Sequence, residues 1–240
     1  MKKLCFVVAL LIAACATPLP QTPPAGMPAQ VAATPVTVAV GDVWRYTAND
    51  GYTGLPQPDF TYRVTAVQNN AITVEAQHGN QAWAERYARD WNWLEHPMTN
   101  LQNFRYEPPY PALPFPLYAG KTWHSYINAT DPATGRVNRV RIDGKVLGWE
   151  RVTVPAGQYD TLKIERYVYA GNAAFFRGEE RIREYDWYAP QAGFVVRHEG
   201  LSEYVDTSKS CRFADCMLIK NDWTVMQLAS HRKAAAPGRP

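Results

Sequence analysis

Between residues 38 and 228 apolar and polar residues alternate in short runs, and turn-forming residues punctuate the runs; recurrence every three or four positions is scarce. Period two sends successive side chains to opposite faces of a strand, so the pattern predicts mainly β structure, antiparallel, with one drier face, one wetter face and few helices. Strands are predicted at 43–48, 60–68, 71–77, 121–129, 137–146, 151–154, 159–169, 175–188, 194–199, 202–206 and 223–228. Asn69 and Asn70 form a two-residue hairpin loop, because asparagine tolerates the positive φ of a primed turn. Pro155 ends a strand and Gly157 permits a reversal before alternation resumes. Gly41-Asp42-Val43-Trp44 and Gly120-Lys121-Thr122-Trp123 each open a strand, a weak internal echo in which the tryptophan serves as a core anchor.

The segment 83–97 is ambiguous. Trp83, Tyr87 and Leu94 fit a helical stripe, whereas Trp83, Glu85, Tyr87, Arg89, Trp91 and Trp93 fit one face of a strand, and the aromatic content favours the strand. That face reads either as packed core or as an aromatic platform for a sugar or lipid. The proline-rich run 107–117 then makes an extended apolar loop that caps the sheet or forms the rim of a pocket. If there is a guest, Trp91, Trp93 and Phe115 are the candidate contacts.

Residues 1–14 read as a signal peptide: Lys2 and Lys3 supply the positive start, and the apolar run from Leu4 to Ala14 is far shorter than the roughly 20 residues of a membrane span. The run ends in Ile12-Ala13-Ala14-Cys15, which resembles the lipobox of bacterial lipoproteins. The resemblance implies a diacylglyceryl group on Cys15 and, with Ala16 in place of an aspartate, sorting to the outer membrane facing the periplasm. An ordinary secretory signal with an incidental Cys15 is the alternative. From Cys15 to Thr37 the chain is proline-rich and carries no charge, a tether of about 3.1 Å per residue where extended. Residues 229–240 read as a disordered basic tail, which leaves 38–228 as one β domain holding all 8 tryptophans. Loss of the signal removes two lysines and lowers the formal charge from +3 to +1, so no basic field suggests nucleic acid.

A second resemblance runs through Gly148-Trp149-Glu150, Val154-Pro155-Ala156-Gly157, Tyr159 to Ile164, Trp187-Tyr188-Ala189-Pro190 and Gly193 to Val196. These segments look like a set of exported bacterial domains of unknown function that are similar to the LolA and LolB lipoprotein carriers. The resemblance implies a single curved antiparallel sheet, or half-barrel, able to cradle an apolar molecule, and carries over no catalytic residue.

Cys211 and Cys216 are the cysteines left once Cys5 departs with the signal and Cys15 is lipidated. An even pair in an oxidising compartment predicts a disulfide, whereas a structural zinc site would want four ligands and finds at most two here. No nucleophile elbow, zincin helix, P-loop or dinucleotide fingerprint occurs, and the histidines lack ligand spacing, so neither metal nor cofactor is expected. Glu179, Glu180, Glu184 and Asp186 interleave with Arg177, Arg181 and Arg183 and read as a solvated face of paired charges. The reading is a non-enzymatic lipoprotein, attached to the membrane through its lipid, that binds an apolar ligand. The alternative is a structural lipoprotein docking on an envelope complex; a carbohydrate-active enzyme using a carboxylate pair is more remote.

Overall fold

The computed structural model describes residues 30–31, 37–68, 70–98, 103–171, 177–206 and 217–234. Among these, every regular element is a strand: β1 (Gln30–Val31), β2 (Val43–Asp50), β3 (Pro56–Gln68), β4 (Ala71–His78), β5 (Gln81–Ala88), β6 (Trp93–Pro97), β7 (Asn103–Tyr110), β8 (Leu117–Tyr118), β9 (Thr122–Thr130), β10 (Val137–Val154), β11 (Gly157–Ala170), β12 (Arg177–Ala189), β13 (Phe194–Asp206) and β14 (Leu218–Arg232). All pairings are antiparallel.

The predicted open sheet or half-barrel is corrected to a closed barrel in the order β10-β11-β12-β13-β14-β2-β3-β4-β5-β6-β7-β9. Two seams close it. Along the first, β14 pairs with β2 from Thr224↔Asp50 to Arg232↔Val43, which joins the two ends of the domain. The second is thin, with β7 meeting β9 at Arg105↔Thr130, Tyr106↔Ala129 and Glu107↔Asn128. Closure pairs the edges that an open sheet would leave with unpaired backbone groups. The first seam also shows that residues 229–232, expected in the tail, are strand.

Several local expectations hold in modified form. Gln68 pairs with Ala71 across the predicted hairpin, and Asn70 has φ 60°. Val154 pairs with Gly157 across Pro155 and Ala156, and Gly157 has φ 136°. β10 fuses two predicted strands through a bulge between Val146 and Gly148, and β13 does so through one between Leu201 and Glu203, each bulge breaking the alternation that sequence reading relies on. The segment 83–97 is strand in two pieces, and a turn after Ala88 takes Arg89 off the Trp83–Glu85–Tyr87 face. The Gly-x-x-Trp echo is a repeated local structure. Gly41 N–H donates to Val64 O (2.8 Å) and Val64 N–H to Asp42 O (2.9 Å), while Gly120 N–H donates to Val146 O (2.8 Å) and Val146 N–H to Lys121 O (2.8 Å). Both turns therefore dock beside a bulge in the neighbouring strand, at Val64/Ala66 and at Val146/Gly148.

Inward positions carry the core. Trp44, Tyr46 and Ala48 on β2, Ile72, Val74 and Ala76 on β4, and Ile164, Val168 and Ala170 on β11 are all buried. A second cluster, built on Leu113, Leu117, Val146, Trp149, Leu162, Ile164 and Tyr188, lies under the proline-rich run. That run is strand as far as Tyr110; residues 111–116 then cap one end of the barrel, pinned where Leu113 N–H donates to Asn92 Oδ1 (2.9 Å) and Lys121 Nζ donates to Pro116 O (2.9 Å). On the outer wall Arg139, Arg141 and Arg183 lie over Tyr126 (4.7 Å), Tyr169 (3.9 Å) and Tyr167 (5.0 Å), a cross-strand cation–π ladder.

Candidate functional site in the barrel lumen

Roughly eight strands enclose an interior that side chains can fill, and this barrel has more. Its lumen holds a cavity of about 810 Å³. Gln57, Pro58 and Gln81 mark one end, with Pro58 and Gln81 exposed, and Trp44, Trp91, Phe194, Ala112 and Leu113 line the other, beneath the proline-rich cap. The wall is largely aromatic because β2, β3 and β5 place Tyr46, Phe60, Tyr62, Trp83 and Tyr87 at inward positions.

The aromatic groups fix one another. Trp93 is stacked between His96 (3.8 Å, 11°) and Tyr110 (4.2 Å, 15°), and Trp91 meets Trp44 edge-on at 5.8 Å and Tyr87 at 5.2 Å. Trp91 has φ 64°, a left-handed conformation that a bulky residue adopts only under constraint. The turn supplies that constraint: Trp91 N–H donates to Ala88 O (3.0 Å) and Ala88 N–H to Asn92 O (2.8 Å). Tyr46 O–H donates to Val195 O (2.8 Å), so that phenol is committed to the wall.

Two polar clusters interrupt the apolar lining. In the first, Arg166 is fully buried; its Nε donates to Glu184 Oε2 (2.7 Å), Nη2 to Asp186 Oδ2 (2.6 Å) and Nη1 to Ala112 O (2.9 Å). Tyr110 O–H adds a bond to Glu184 Oε2 (2.6 Å), and His198 Nδ1 lies 2.7 Å from Asp186 Oδ1. Burial by itself would raise the Asp186 carboxyl, but Arg166 and His198 outweigh it and hold the group well below its ordinary value. His198 is affected the opposite way: burial disfavours its charge, Asp186 more than compensates, and the imidazole is held above its ordinary value. The cap is thus bonded to the charge network through the Ala112 carbonyl.

The second cluster surrounds Glu85, which is fully buried between Trp83 and Tyr87 on β5. Trp83 Nε1–H donates to Oε1 (2.7 Å), Tyr87 O–H donates to Oε2, and His96 Nε2 stands 3.6 Å from Oε2. Burial, then the Glu85 charge, push the Tyr62 and Tyr87 hydroxyls well above their ordinary values, so both stay protonated donors.

Of the residues singled out from sequence, Trp91 and Trp93 line the cavity together. Phe115 lies outside the cavity lining; it packs in the second cluster, edge-on to Tyr188 at 5.5 Å. Cys15, Cys211 and Cys216 lie outside the described residues. The expected solvated charge face on β12 is corrected: Arg181 and Arg183 point outward, but Glu180, Glu184 and Asp186 share the inward parity of Ile182 and are buried. Arg166 and His198 were not anticipated, because their partners sit on neighbouring strands. Glu85 left a trace in the sequence, as the one carboxylate between two aromatics on a single strand face.

No protein-family model matches the sequence, and no curated protein matches it. Among solved structures the chain is similar to a candidate lipoprotein from Parabacteroides distasonis, with 15% identity over 81% of this chain and 96% of that one and a TM-score of 0.44. It is similar to a candidate exported protein with a YmcC-like fold from Bacteroides fragilis, with 15% identity over 82% and 97% and a TM-score of 0.44. It is also similar to the hypothetical lipoprotein YmcC from Escherichia coli, with 10% identity over 83% and 90% and a TM-score of 0.44.

Proposed function

We propose that the chain is a lipid-anchored, non-enzymatic protein of the bacterial envelope, held to the outer membrane on its periplasmic face through Cys15, whose barrel lumen binds an apolar, lipid-like ligand. The observation that carries the ligand reading is the aromatic lumen of about 810 Å³, within the range of drug-sized ligand sites. The lipobox-like Ile12-Ala13-Ala14-Cys15 supports the anchor. The Arg166 network serves as a rigid internal scaffold that ties the cap to β11 and β12.

The ligand test is a titration with an apolar fluorophore. Saturable binding near one per chain, with a rise in melting temperature by mass action, supports the reading. Ile182→Trp projects a larger ring into the lumen and should weaken binding while the fold persists. Absent or unsaturable binding by a stable chain points instead to a docking lipoprotein. The exposed Tyr126 and Tyr167 beside the outer arginines favour that second reading, since tyrosine and arginine are enriched at interfaces. Metabolic labelling with a fatty acid analogue tests the anchor, and Cys15→Ser should abolish the label.

A further inference from the structure

We propose that the lumen selects amphiphiles bearing a cationic ammonium group, which sits against the aromatic wall in front of Glu85. The inference rests on the lumen being a ligand site and names the chemistry of what enters it.

The first observation is the sign of the lining. Glu85, Glu184, Asp186 and Asp222 line the cavity, and among its described lining residues there is no lysine or arginine. The chain as a whole carries 25 lysines and arginines against 22 acids, so this is a local reversal of a slightly basic protein. Arg166 and His198 account for Glu184 and Asp186, with every Arg166 nitrogen already bonded to Glu184, Asp186 or Ala112. An anionic head group would find no unused guanidinium there.

Glu85 is held differently. Trp83 Nε1–H and the Tyr87 hydroxyl, which donate to it in the wall, are neutral dipoles that orient the carboxylate without cancelling its charge. The nearest histidine, His96, has Nδ1 2.6 Å from Pro97 O, and its Nε2 is 3.6 Å from Glu85 Oε2, beyond hydrogen-bond distance but within ion-pair reach, so Glu85 has an imidazole beside it where Glu184 and Asp186 have the guanidinium of Arg166. A buried carboxylate in an apolar interior is stabilised by a compensating charge, and a ligand entering the lumen can bring one. The rings in front of it favour the same sign. Tyr62, Trp83 and Tyr87 line this stretch, and the face of an aromatic ring attracts cations, quaternary ammonium groups above all. A carboxylate behind the ring edges deepens that attraction, while the rest of the lumen, through Val74, Ile182 and Met226, offers apolar surface for a tail.

The experiment uses the full-length chain with Cys15→Ser, and three probes of one tail length kept below micelle formation: dodecyltrimethylammonium, dodecanol and dodecanoate. Tryptophan fluorescence follows binding. The cation is expected to bind about tenfold more tightly than dodecanol, and dodecanoate more weakly than either. Glu85→Gln should bring the affinity for the cation to that for dodecanol in the same variant, and saturable dodecanol binding by that variant reports an intact lumen. The selectivity of the chain with Glu85 in place decides the matter even where the Gln variant unfolds. Equal affinities, tighter dodecanoate, or a preference that survives Glu85→Gln in a folded chain overturns the proposal and leaves the lumen reading standing. Absence of binding by all three probes overturns both.

Discussion

Replacing Arg166 with methionine tests whether the buried charge network holds the barrel together. The guanidinium is fully buried and joined to Glu184 at 2.7 Å, Asp186 at 2.6 Å and the Ala112 carbonyl at 2.9 Å. Methionine keeps much of the volume and removes every one of these bonds, leaving two carboxylates in the interior with Tyr110 and His198 beside them. Breaking a buried ion pair by removing one partner costs about 3–5 kcal/mol. Domains of this kind are stable by about 5–15 kcal/mol in total, so the variant should be folded but visibly weakened. Urea unfolding followed by tryptophan fluorescence at neutral pH gives the loss as a shift in midpoint at constant slope. The deficit should shrink on acidification. In the wild type the depressed Asp186 contributes stability above its unfolded value near 3.9, lost as pH falls through the lower folded value; without Arg166 that contribution is already reduced to what His198 supplies. The triple variant Arg166→Met, Glu184→Gln, Asp186→Asn should recover more than half of the loss, because no buried charge is left unpaired. A single variant within about 1 kcal/mol of wild type, or a triple variant no better than the single, would refute the reasoning.

Three further outcomes follow from other parts of the molecule. His198 is held above its ordinary value, so its contribution is fully present below about pH 6.5 and is lost as pH rises through the folded value; the stability gap between wild type and His198→Gln should narrow as pH rises above about 6.5, and a constant gap contradicts it. A Cβ on Gly144 would lie 2.1 Å from the Trp123 ring, so Gly144→Ala should cost about 1–3 kcal/mol in urea unfolding and shift tryptophan emission, whereas an unchanged midpoint would show that the ring moves freely. Cys211 and Cys216 should resist alkylation in material taken directly from the envelope, and their double replacement by serine should cost no more than about 2 kcal/mol; free thiols refute the bond.

Alternation along the chain finds most of the strands and the Asn70 and Gly157 turns, because both depend on residues close in sequence; β7 escapes it, its end falling in the proline-rich run 107–117 that reads as a loop. Closure was not legible. Alternation tells which face a residue occupies and nothing about which strand lies alongside, and the deciding seam pairs Arg232 with Val43 from opposite ends of the domain. The tail residues Ser230, His231 and Arg232 looked like a frayed basic end for the same reason: their partners are on β2. The charge network was misread because Glu184 and Asp186 are surrounded in sequence by arginines that point outward, whereas the arginine that neutralises them is on β11. Trp91 and Trp93 share the cavity wall with the other aromatic residues of their segment. Phe115 lies beyond that lining, and a proline-rich loop gives no periodicity from which to tell lumen from cap.

The account depends most on the lumen being the place where a ligand binds. Methyl-detected NMR of the Cys15→Ser chain, titrated with dodecyltrimethylammonium, reads that directly. Met226, Ile182 and Val74 line the cavity, while Val137 and Leu147 are exposed, at 56% and 39%. A lumenal site gives saturable shifts of the lumenal methyls with Val137 and Leu147 unmoved; shifts confined to the exposed methyls, or no shifts at all, would contradict it.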